Sequence, residues 1–88
     1  MKNPPRLACY PTPFRETTTI EYELPELGFV QLTIFDALGR SVAQLAEEIK
    51  DAGTYTRKWN ATQFPAGTYY VVLKIDSEVQ LTLPIVLQ

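Results

Sequence analysis

The chain has 88 residues, enough for one domain, and its 45% apolar and 20% charged content is that of a globular protein and excludes a disordered tail. A net charge of −2 without any basic block excludes the electrostatic footprint of a nucleic-acid binder or of an anionic-membrane binder. Histidine is absent and Cys9 is the single cysteine, so the usual general base and commonest metal ligand are missing and no internal disulfide supports the fold.

Residues 1–9, opening Met1-Lys2-Asn3-Pro4-Pro5-Arg6, carry no apolar stretch of the signal-peptide kind. They read as a Pro-rich linker from an upstream parent chain, with the domain itself occupying residues 10–88. The apolar runs fall well below the roughly 20 residues needed to cross a bilayer. In Cys9-Tyr10-Pro11-Thr12-Pro13-Phe14 the alternate prolines hold the chain extended and remove two ladder donors. Tyr10 and Phe14 are expected to bury there as anchors at the mouth of the fold.

Thr17 to Leu24 alternates, with Ile20, Tyr22 and Leu24 inward and Thr19, Glu21 and Glu23 outward. Pro25-Glu26-Leu27-Gly28 is a turn. Phe29 to Asp36 alternates again with Val30, Leu32 and Ile34 on the core side, which leaves Phe35 on the outer side. Asp36-Ala37-Leu38-Gly39-Arg40 is the clearest hairpin signal, Asp36 opening a turn and Gly39 supplying the positive φ. Ser41 to Ala46 continues as a strand. Leu45 to Lys50 also fits one helical turn, too short to stand alone, and reads as a strand running into an irregular crossover.

Asp51-Ala52-Gly53 turns the chain into Thr54 to Trp59, where Tyr55, Arg57 and Trp59 share a face. Trp59 is expected in the core, and Arg57 is expected to pack its stem and carry its head to the rim. After the loop Asn60 to Gly67 comes the most hydrophobic alternating stretch, Gly67 to Ile75, with Tyr69, Val71, Leu73 and Ile75 on one side. Asp76-Ser77-Glu78 leads into the last strand, in which Val79, Leu81, Leu83, Ile85 and Leu87 share a parity. Pro84 lies on the other parity and belongs at an edge, beside a bulge, or where its nitrogen has no partner. Six or seven short strands without a convincing helix predict an all-β, immunoglobulin-like antiparallel sandwich.

No catalytic set emerges. Cys9 has no activating partner, Glu47-Glu48 reads as a solvated pair, Asp36, Asp51 and Asp76 are single turn residues, and the glycines are spread over separate turns. The residues call for no metal and no cofactor. Outward aromatics at Phe29, Phe35 and Tyr70 leave two readings open, a platform for sugar rings and cross-strand cover for the sheet. A carbohydrate-binding or spacer module of a secreted hydrolase is the corresponding alternative function.

Tyr10-Pro11-Thr12-Pro13-Phe14, Thr18-Thr19-Ile20-Glu21-Tyr22-Glu23-Leu24-Pro25, Val30 to Arg40, Ala52-Gly53, Trp59 and Gly67 to Leu73 follow one another in an order that resembles the C-terminal sorting domains of the type IX secretion system. The immunoglobulin-like domain of flagellar hook-capping proteins shares part of it. The resemblance implies a non-enzymatic address label. Its upstream cargo enters the periplasm by a signal peptide, an outer-membrane translocon reads the domain, and a sortase-like protease removes it. The cargo is then released or joined to surface lipopolysaccharide. It also implies a recognition end at Ile85, Val86 and Leu87, with Pro11, Pro13, Phe14, Gly39, Trp59, Gly67 and Tyr69 as fold residues. Two positions depart from the family pattern: Pro84 stands where a basic residue commonly precedes the final apolar run, and Asn60 where an Asp commonly follows the tryptophan. An unpaired strand edge near the C-terminus offers a route to self-association.

Overall fold

Period-2 burial sets the architecture. The computed structural model describes residues 3–88 and contains β1 (Arg6–Tyr10), β2 (Thr17–Leu24), β3 (Gly28–Phe35), β4 (Ser41–Lys50), β5 (Gly53–Asn60), β6 (Gly67–Ile75) and β7 (Glu78–Leu87). One sheet has the order β1-β2-β5 and the other β4-β3-β6-β7, every pairing antiparallel. Their inner faces meet over one core built from the predicted parities: Ile20, Tyr22 and Leu24; Val30, Leu32 and Ile34; Tyr69, Val71 and Leu73. This is the immunoglobulin-like sandwich. Central β6, flanked by β3 and β7, is the stretch that the sequence marks as the most hydrophobic of those that alternate.

Four expectations change. Residues 6–9 are not linker. They form most of β1, with Leu7 opposite Tyr22 and Cys9 opposite Ile20, both packing on the core. Met1 and Lys2, the start of the expected linker, lie outside the described residues. Tyr10 is not an anchor: it is 49% exposed, because it stands opposite Thr19 on the outward parity of β2. The segment Leu45 to Lys50 is neither helical nor an irregular crossover. It continues β4, and register shifts around Val42 and Leu45 absorb the irregular hydrophobic pattern. Val79 does not follow the inward parity of β7. A shift between Val79 and Leu81 places Val79 opposite Lys74 on the outer face, 59% exposed.

Phe35 does lie on the outer parity, directly across from Tyr70, which in turn faces Pro84 on β7. These side chains form a row over the outer surface of the larger sheet, the arrangement in which cross-strand neighbours cover one another. Arg57 carries its guanidinium to the sandwich rim as expected. There its Nη2 donates to Glu48 Oε1 at 2.7 Å, tying edge strand β5 of one sheet to edge strand β4 of the other. Glu48 also faces Lys50 at 3.5 Å, so the Glu47-Glu48 pair is half engaged and not simply solvated.

Candidate functional site

The residues that the sequence singles out lie far apart along the chain but gather at one end of the sandwich. Arg6 of β1 pairs with Glu23, near the β2–β3 turn, so the chain enters at the opposite end of a body 40 Å long. β7 finishes beside Gly67, where β6 starts. Trp59, at the last inward position of β5, fills the space between. Its ring centre lies 5.8 Å from that of Phe14, 5.4 Å from Phe64 and 5.2 Å edge-on to Tyr69. Tyr69 Oη donates to the Pro65 carbonyl at 2.6 Å, fixing the loop before β6 to its own strand, and burial raises the pKa of this hydroxyl. Gly67 adopts φ +153° with open space around its α-carbon, so backbone conformation is what requires glycine there.

The segment with Pro11 and Pro13 works as a latch over the end of β7. Phe14 N–H donates to Val86 O at 2.9 Å, Gln88 N–H donates to Phe14 O at 2.8 Å, and Val86 N–H donates to Thr12 Oγ1 at 3.2 Å. Both backbone groups of Val86 therefore point away from β6. By ladder alternation the Pro84 nitrogen faces the same outer edge, where a missing donor costs nothing. That geometry places the proline on an edge strand, and the C-terminal edge expected to be unpaired is occupied by Thr12 and Phe14.

Thr18, on the inward parity of β2 and buried, anchors the latch from below. Its hydroxyl donates to Pro11 O at 2.8 Å and lies 2.9 Å from Cys9 Sγ. Burial, partly offset by Thr18, raises the Cys9 pKa, so the thiol is not an activated nucleophile. Sequence reading did not assign Thr12 or Thr18 a role. The available signal was a hydroxyl at a core position of an otherwise apolar alternation.

Of the expected recognition residues, Ile85 is 0% exposed, Leu87 is 3% exposed and Val86 is 42% exposed. Ile85 and Leu87 are core residues, and Val86 alone of the three presents its side chain to solvent. Asn60 accepts from Thr62 N–H at 3.1 Å, a turn contact an Asp would make equally well.

Beside the aromatic cluster stands the β3–β4 hairpin. Asp36 Oδ1 accepts from Leu38 N–H and Arg40 N–H, each at 2.9 Å, while its Oδ2 accepts from Arg40 Nε at 2.8 Å. Led by the Arg40 amide bond, these contacts hold the Asp36 carboxyl below the usual range. Gly39, at φ +83°, closes the turn. Between this hairpin and the 64–69 loop lies a cavity of about 500 Å³. Among the described residues no group of three or more His, Cys, Asp or Glu side chains is placed to hold a metal.

A family model described as a secretion system C-terminal sorting domain matches residues 8–88. No curated protein matches the chain. The match begins inside β1 and runs to the end of the latch, so it takes in all of the sandwich except Arg6 and Leu7. The chain belongs to the family of secretion system C-terminal sorting domains, non-catalytic tails that mark a cargo protein for type IX export to the cell surface or medium.

Proposed function

We propose that the outer-membrane translocon reads this domain folded, at the end where Phe14, Trp59, Tyr69 and the last residues of β7 meet. The burial of Ile85 and Leu87 carries this reading. Their side chains are out of a partner's reach unless the sandwich opens, so they act by packing, whereas Val86 and the latch residues around it offer the surface a partner touches. A cargo attached ahead of Arg6 leaves from the far end of the 40 Å axis and does not cover that surface. Cargo enters the periplasm behind a signal peptide and crosses the outer membrane with this domain as its label. A sortase-like protease then cuts before Arg6. A cut within residues 6–9 would remove part of β1 from its sheet, whereas Asn3 and Pro4 are exposed and precede it.

The test compares Val86→Asp with Ile85→Ala in a signal peptide–fluorescent protein–domain fusion. Val86→Asp is expected to keep the wild-type unfolding temperature within a few degrees and to lose surface or medium fluorescence. Ile85→Ala is expected to lose export together with stability. Normal export of Val86→Asp would mean that the outward side of the last strand is not read.

A further inference from the structure

We infer that the cavity between the β3–β4 hairpin and the loop before β6 is a docking groove for a partner's extended segment bearing an Asp or Glu side chain next to an apolar residue. This rests on the reading that a partner engages the folded motif end. The groove, of about 500 Å³, is lined by two segments, residues 36–42 and 64–69, in the size range of ligand sites. Val42, Phe64 and Tyr69 give it apolar lining, and Leu38, well exposed, overhangs it.

Charge decides what fits. Asp36 is sunk at 14% side-chain exposure and saturated by two amides and the Arg40 Nε, while Arg40 is 72% exposed. The pair thus presents its positive end outward. The Nε contact fixes the guanidinium plane, and among the described residues no other group bonds its Nη atoms. A guanidinium held in this way offers a parallel pair of donors to a carboxylate. Both walls are set in advance, one by the Asp36 bonds and the other by the Tyr69–Pro65 bond, so little ordering opposes binding. One wall is the hairpin turn with the start of β4 and the other the preceding loop with the start of β6, and the occupant lies between them as a strand-like segment whose carboxylate is an acidic side chain.

The experiment titrates the ¹⁵N-labelled chain with the blocked peptide acetyl-Ala-Leu-Glu-Phe-Ala-amide, with its Gln counterpart, and with acetyl-Ala-Leu-Phe carrying a free C-terminus. The expected result is shifts at the amides of Leu38, Gly39, Ala66 and Thr68 with the Glu peptide, and at least about tenfold weaker binding of the other two. Arg40→Gln should abolish the difference between Glu and Gln peptides. Ala66→Glu, which leaves the Asp36–Arg40 pair intact, should weaken the Glu peptide selectively. Equal binding of the Glu and Gln peptides, tighter binding of the free terminus, shifts elsewhere, or no shifts at all would overturn the proposal. Failure here with retained translocon-dependent export would leave the folded-end reading standing, because export does not depend on which surface the peptide uses.

Discussion

Tyr22 and Tyr69 bury similar rings and differ in what their hydroxyls meet. Tyr22 Oη has no hydrogen-bond partner among the described residues, and burial raises its pKa, whereas Tyr69 Oη donates to Pro65. Removing an unpaired buried hydroxyl relieves a desolvation cost, while removing a paired one strands an acceptor. Tyr22→Phe is therefore expected to hold or raise stability by up to about 1 kcal/mol, and Tyr69→Phe to lower it by about 1 kcal/mol. Thermal unfolding of the two variants checks the opposite signs. Asp36 gives a pH dependence. Its folded pKa lies below its unfolded one, so its contribution is present above the ordinary carboxylate range near about pH 4 and is lost as pH falls through the depressed value. The gap in unfolding temperature between wild type and Asp36→Asn should be open at pH 7 and close towards pH 2. A gap that stays constant would assign the role of Asp36 to shape and not to charge.

Among the elements, β2, β3 and β6 were legible because each buries one clean parity, as with Ile20, Tyr22 and Leu24. What stayed hidden depends on pairing partners, which a lone strand does not state. Val79 follows the apolar parity in sequence, and only the bulge opposite β6 turns it outward. Arg6–Cys9 looks like linker because four residues beside two prolines carry little periodicity, and it becomes most of a strand by pairing with β2. The hairpin at Gly39 and the core place of Trp59 were readable from residue type alone, but the meeting of Trp59 with Phe14 was not. Pro84 shows the same limit: its parity was evident, and the edge it protects required the latch. Exposed strand edges invite pairing with other chains. Thr12→Val combined with Pro84→Thr removes one cap and restores one outward N–H, so concentration-dependent self-association in sedimentation velocity is expected for the double variant and weaker association for wild type. Identical profiles would show that Thr12 and Pro84 do not protect this edge.

Taken as a whole, the sandwich has one end that receives the chain and another that collects the aromatic cluster, the latch and the groove. A domain this small has about 5 kcal/mol of net stability or a little more. Trp59→Ala removes a ring that touches Phe14, Phe64 and Tyr69 and should cost about 3–5 kcal/mol, enough to leave a large unfolded fraction in urea titration at room temperature. Export by this domain is tested by placing a signal peptide and a fluorescent protein ahead of residues 1–88 in a bacterium with an active type IX system, beside a strain lacking the translocon. Fluorescence should appear at the surface or in the medium of the first strain and remain in the periplasm of the second. Periplasmic retention of an intact, folded fusion in both strains would contradict the account.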